Sequence, residues 1–168
     1  MAGSELYWVD GPWPGRLALA ARPRGGDWLG DEIAGWHRTG VDRIVSLLTQ
    51  AEQADLDLRD EAQEASAQGV KFTSFPIPDL QVPSSEGKLA SMLEELDADL
   101  SRGSNVVIHC RQGVGRSGLV AACLLITKGL RADAAIKKIS SARGEQVPET
   151  REQRTWIEHY AEVLADTK

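Results

Sequence analysis

A chain of 168 residues, 42% hydrophobic and 26% charged, is long enough to bury a sizeable core and is expected to fold as one domain over residues 1–168. Its net charge of −6 argues against nucleic acid as the main partner, its longest apolar run, "GLVAACLLI", is far short of a membrane span, and "MAGSELYWVDGPWPG" has neither the basic nor the apolar region expected of a signal peptide. The two cysteines lack CxxC spacing and the three histidines, His37, His109 and His159, lack metal-ligand spacing, so the expectation is a reducing, cytoplasmic setting with no metal and no cofactor.

In chain order, "WPGRLALAARPRGGDW" reads as a short strand entering an Arg/Gly-rich loop. "GDEIAGWHRTG" reads as a helix stopped by Gly40, and "VDRIVSLL" as a buried strand. A polar helix is expected up to Gly69, then the strand "VKFTSFPI". Leu89, Met92, Leu93, Leu96 and Leu100 recur at helical spacing behind a Ser84 or Ser85 cap. "NVVIH" is the next strand, "RSGLVAACLLITKG" the next helix, and "RADAAIKKISSARG" and "TREQRTWIEHYAEVLAD" are the last two helices. Strands alternating with helices predict an α/β fold, a mostly parallel sheet of about four to five strands covered on both faces. Ligands in such folds sit at the carboxyl ends of the strands, where Cys110 lies.

The loop after His109 carries the chemistry. Residues 113–118, "GVGRSG", match the dinucleotide fingerprint GxGxxG, but the acidic residue at the expected spacing, Asp133, opens a helix, and too little chain follows for a dinucleotide fold. The better reading is an anion cradle. Glycines let the backbone N–H groups of residues 111–116 turn inward, and the following helix adds the positive end of its dipole. Arg116 can close the cup with a two-point grip on phosphate oxygens, and Cys110 beneath it is placed for in-line attack on phosphorus. Ser117 can donate a hydrogen bond to the sulfur as it leaves, and His109 orients the loop. Cys123, inside an apolar helix, reads as core and is too far down that helix to pair with Cys110. The exposed Cys110 thiolate is expected to be peroxide-sensitive. The five tryptophans read as core.

"HCRQGVGRSG" resembles the HCx5R[ST]G signature of the cysteine-dependent protein tyrosine phosphatase superfamily. The order "RPRGGDW", "VDRIVSLL", "FPIPD", "HCx5R", "VPETREQ" over residues 16–160 is similar to compact dual-specificity-like and cyclin-dependent-kinase-inhibitor-3-like members. The resemblance implies a phosphocysteine intermediate, with phosphate held by Arg111, Gln112, Gly113, Val114, Gly115 and Arg116. Asp79 in "FPIPDLQVPS" matches the acid loop, protonating the leaving oxygen and then taking a proton from water, although an aspartate after proline also shapes turns. Gln153 resembles the glutamine that positions the attacking water, yet Thr150-x-x-Gln153 is also a capping box. Glu52 has the same ambiguity: it can orient Arg116 or close a capping box with Thr49. Arg22 and Arg24 are either solvated or a wall contact for substrate.

No KNRY-type phosphotyrosine loop is present, and the short chain implies a shallow cleft that admits phosphoserine and phosphothreonine beside phosphotyrosine on a protein or peptide. Arg111 leaves a polyanionic, non-protein phosphoester open as substrate. A phosphoprotein-binding module without turnover is the reading from another class. The loss of cysteine, arginine or aspartate that would mark it is not seen.

Overall fold

The structure, a computed structural model, describes residues 4–166; the outermost residues of the expected 1–168 domain lie outside them. The chain runs β1 (Tyr7–Val9), β2 (Leu17–Ala20), a 3-10 turn (Gly26–Trp28), α1 (Leu29–Thr39), β3 (Arg43–Ser46), α2 (Gln50–Asp55) and α3 (Glu61–Ala67). It continues through β4 (Lys71–Ser74), α4 (Glu86–Ser101), β5 (Val106–His109), α5 (Gly115–Thr127), α6 (Ala132–Arg143) and α7 (Arg151–Asp166).

The strands form a five-stranded sheet in the order β1-β2-β5-β3-β4. β2, β5, β3 and β4 are parallel, and β1 pairs antiparallel with β2 at one edge. The α/β architecture expected from the alternating pattern is what forms. Strand alternation sorts the core into two layers. Leu17, Leu19, Val106 and Ile108 face α4–α7, while Ala18, Ala20 and Val107 face α1 and α3. Residues 115–126 of α5 are buried throughout, which is why this helix shows no polar stripe in the sequence.

Register places the future site. Ala20 and Ser46 both pair with His109, so β2, β5 and β3 end level with one another. The loops that leave them therefore meet over the carboxyl edge of the sheet, where the chain order reverses across β5.

Two elements differ from the sequence expectation. β1 was not anticipated; three residues ahead of the "DGPWPG" turn are too few to show a period. The single polar helix before Gly69 is two helices, broken at Asp57, whose φ of 57° lies in the left-handed region. Leu58, 1% exposed, anchors the break in the core, and the Asp57 carbonyl accepts the Gly26 N–H. The tryptophans also divide. Trp13 and Trp36 are buried, but Trp28 is half exposed.

α5 packs so closely on the turn before α7 that a Cβ on Gly118 would stand 1.9 Å from Val147 Cγ1. Gly118→Ala is expected to cost about 1–3 kcal/mol by overpacking. Chemical denaturation checks this, and adding Val147→Ala should recover part of the loss.

Candidate active site

Cys110 follows β5 directly, and the next residues curl over the end of the strand. Gly113 makes the curl possible: its φ is 76°, and a Cβ would clash with the Ala20 backbone at 2.6 Å. The turn aims the Gly113 N–H at Cys110 Sγ, 3.3 Å away. Val114 is buried, and Gly115 and Arg116 open α5, so the helix N-terminus points at the same spot. Cys110 is only 3% exposed, which corrects the expectation of an open thiol: it lies at the floor of a cavity of about 30 Å³. Asp79, Arg111, Gln112, Arg116 and Glu149 line that cavity with it.

Arg116 is almost fully buried, and its guanidinium is held from three sides. Nη1 donates to Glu52 Oε1 at 2.7 Å and to the Ile77 carbonyl at 2.8 Å, and Nη2 donates to Glu52 Oε2 at 2.9 Å. Asp79 Oδ1 stands 3.0 Å from Nη2, with the Asp79 side chain half exposed. Arg111 Nε also donates to Glu52 Oε2, at 3.3 Å. Both readings of Glu52 hold together, because the Thr49 N–H donates to its Oε1 while Thr49 Oγ1 caps the Glu52 N–H. Burial works against its charge, yet the hydrogen bonds and charge of Arg116 with the contacts from Thr49 and Arg111 bring it from 4.5 down to about 2. For Arg116, burial also disfavours the cation. Hydrogen bonding to Glu52 and the charges of Cys110, Glu52 and Asp79 outweigh burial and shift it upward.

His109 is fully buried beneath the loop. Nδ1 lies 3.3 Å from the Cys110 carbonyl and Nε2 lies 2.6 Å from Glu61 Oε2, and these two contacts orient the ring. Ser117 is buried in the first turn of α5, and its Oγ has no hydrogen-bond partner among the described residues.

Residues 5–161 match the family described as a Swiss Army Knife protein, DSP-PTPase phosphatase domain. The chain belongs to this phosphatase-domain family. It is 28% identical over 129 residues to cyclin-dependent kinase inhibitor 3 of Rattus norvegicus, covering 76% of this chain and 60% of that protein. It is 34% identical over 99 residues to the Sus scrofa protein, covering 58% and 46%. The matches thus span about half the length of these relatives. A kinase-associated phosphatase with its catalytic-site cysteine replaced by serine superposes with a TM-score of 0.89 at 22% identity, covering 98% of both chains. PTPMT1 in complex with PI(5)P superposes at 0.74 and 18% identity, covering 96% of this chain and 99% of that one.

Within this DSP-PTPase domain the remaining sequence candidates fall as follows. Gln153 is buried beside the loop, with its Oε1 about where a Gly115 Cβ would meet it at 3.0 Å. The capping-box reading is realised: Oε1 accepts from the Glu149 and Thr150 N–H groups, and Thr150 Oγ1 accepts from the Gln153 N–H. Its Nε2 donates to the Gln81 carbonyl at 3.1 Å, tying α7 to the Asp79 loop. The Arg22 N–H and Nη1 both reach the Arg111 carbonyl, which puts Arg22 on the rim. Arg24 pairs with buried Glu32 at 2.9 Å and stacks on Trp28, a structural duty. Burial raises Cys123, so that thiol stays protonated inside α5.

Glu61 and Glu149 were not anticipated. No local pattern joins Glu61 to His109, which is 48 residues away. Glu149 stands next to a capping residue and gives no separate signal.

Glu52 is depressed in the folded chain, so its contribution to stability is present above pH 4.5 and is lost as pH falls toward about 2. Thermal melts of wild type and Glu52→Gln should differ most above pH 4.5 and converge as the pH approaches 2.

Proposed function

We propose that the protein hydrolyses phosphotyrosine, and phosphoserine or phosphothreonine, on proteins through a phosphocysteine intermediate. The observation that carries the reading is the convergence of Cys110, Arg116 and Asp79 on one small cavity at the N-terminus of a buried helix. The reading is supported by the resemblance of "HCRQGVGRSG" to the superfamily signature, by the match of residues 5–161 to the phosphatase-domain family, and by a fold neighbour that is a kinase-associated phosphatase.

The Cys110 sulfur attacks phosphorus in line with the ester oxygen. The P–O bond breaks, and Asp79 gives its proton to the leaving oxygen. Water then attacks phosphorus, the P–S bond breaks, and the Asp79 carboxylate takes the proton from water. The inward N–H groups of residues 111–116 and the Arg116 fork hold the equatorial oxygens, where charge accumulates. Ser117 suits the second step, because its buried hydroxyl lacks a partner and can donate to the departing sulfur.

Asp79 and Arg116 face each other across the small cavity above Cys110. Asp79, 3.0 Å from the Arg116 fork, must swing off the guanidinium as phosphate enters. The same motion pulls on Gln81 and can free Gln153 Nε2 to hold the attacking water. A reducing, cytoplasmic setting would keep the Cys110 thiol available.

A second reading, a phosphoester on a non-protein polyanion, is favoured by the Arg22 and Arg111 contacts at the rim and by the fold shared with PTPMT1, which was solved with PI(5)P. The groove of about 420 Å³ that shares Gln112 and Glu149 with the cavity carries Arg151 and Arg154 but also Glu145, so it does not present a uniformly cationic wall.

Hydrolysis of p-nitrophenyl phosphate with EDTA present should proceed in wild type and stop in Cys110→Ser. Asp79→Asn should lower kcat on phosphopeptides about 10²- to 10⁴-fold, the usual worth of a positioned acid. Parallel assays with phosphotyrosyl and phosphothreonyl peptides and PI(5)P rank the substrates. Turnover of PI(5)P alone moves the assignment to the second reading. No turnover by folded wild type on any of them leaves a phosphate-binding module.

A further inference from the structure

The outer face of the Cys110 loop is gripped by a residue that the proposed chemistry does not use. Arg143, the last residue of α6, donates from Nη2 to the Gln112 carbonyl and from Nε to the Gly113 carbonyl, both at 3.1 Å. Its guanidinium carbon lies 4.0 Å from the centroid of the Tyr7 ring in β1, and Nη1 reaches Glu145 Oε2 at 3.4 Å. The side chain is 13% exposed, which is low for an arginine at a helix end.

The Gln112 carbonyl and the Gly113 N–H are two ends of one planar peptide group. That N–H is the one aimed at Cys110 Sγ at 3.3 Å. The Gly113 carbonyl shares its peptide with the Val114 N–H, the next donor along the loop. A cation pulling on both carbonyl oxygens from outside fixes these planes with their N–H groups inward. It also polarises the same N–H bonds toward the sulfur and toward a bound oxyanion. Gly113, at a φ of 76°, has no side chain to restrain it, and the two bonds from Arg143 hold the peptides on either side of it from outside the loop.

We propose that Arg143, seated on the face of Tyr7, is a positioning residue that pre-orients the Gly113 and Val114 N–H donors of the phosphate cradle. Through it the edge strand β1 and the end of α6 act on Cys110 without touching substrate. The kinetic consequence rests on the phosphatase reading; the anion-binding consequence does not. Substitutions at Arg143 or Tyr7 replace none of the residues that line the cavity.

The test compares alkylation of Cys110 at pH 7 by iodoacetate, an anion that the cradle attracts, and by neutral iodoacetamide, read by mass spectrometry. Wild type, Arg143→Met, Arg143→Lys and Tyr7→Leu are assayed, each checked for folding by circular dichroism. Arg143→Met should lower the iodoacetate-to-iodoacetamide rate ratio about ten-fold, the scale of a charge-assisted hydrogen bond, and weaken inorganic phosphate as an inhibitor by a similar factor. Arg143→Lys should recover part of the ratio, and Tyr7→Leu should show a smaller loss in the same direction. An unchanged ratio in folded Arg143→Met overturns the proposal. If that variant does not fold, an unchanged ratio in both Arg143→Lys and Tyr7→Leu overturns it. Alkylation needs no turnover, so a shifted ratio in a protein that hydrolyses no phosphoester sustains this inference while removing the proposed activity.

Discussion

The buried guanidinium of Arg116 is the constraint around which the site is assembled. A cation at that depth is tolerated only with full compensation, because leaving it unpaired would cost several kcal/mol. Compensation comes from three places in the chain: Glu52 by a two-point bond, the Ile77 carbonyl, and the Asp79 carboxylate. The demand for partners therefore draws the start of α2 and the Asp79 loop onto the N-terminus of α5. Glu52 in turn is held by the Thr49 cap, so a helix-start device and an ion pair reinforce each other. Of the two carboxylates, Glu52 is the buried partner of the guanidinium and Asp79 the exposed one.

A second carboxylate does for the other end of the loop what Glu52 does for Arg116. Glu61 holds His109, which lies under the Cys110 carbonyl. Glu52 and Glu61 are nine positions apart, and in an unbroken helix at about 100° per residue they would point to opposite sides. The left-handed turn at Asp57 removes that conflict and lets both carboxylates face the sheet end. The loop after Cys110 is thus braced by acidic side chains that do not line the cavity, which is how a chain of net charge −6 can carry the proposed phosphate cradle.

The readability of the site followed the range of the contacts. The strand, cysteine, glycines, arginine and helix between Val106 and Thr127 are consecutive, and their roles in the curl depend on local geometry; the sequence pattern and the structure coincide there. Asp79 was singled out from its proline-stiffened loop, and in the structure its Oδ1 stands 3.0 Å from Arg116 Nη2. Gln153 and Glu52 each carried two signals. The structure shows the capping geometry in both, with the Arg116 pair added for Glu52 alone. Glu61 and Glu149 belong to contacts closed by the tertiary fold and have no local signature. The open thiol expected at Cys110 was wrong for a simple reason: spacing fixes the turn, but the depth of the turn depends on what covers it, here the Asp79 loop and the turn before α7.

What the sequence by itself determined is the alternation of strands and helices, the buried character of α5 and the inward curl at Gly113, because each follows from hydrophobic period or backbone sterics within a few residues. The tertiary structure alone decided which carboxylate faces which cation, how far Asp79 reaches and how deep the cysteine lies. Those outcomes depend on the order β1-β2-β5-β3-β4, which brings loops from distant parts of the chain over one sheet edge. A pairing between residues 64 positions apart, such as Glu52 with Arg116, is closed by packing and electrostatics only after that edge exists.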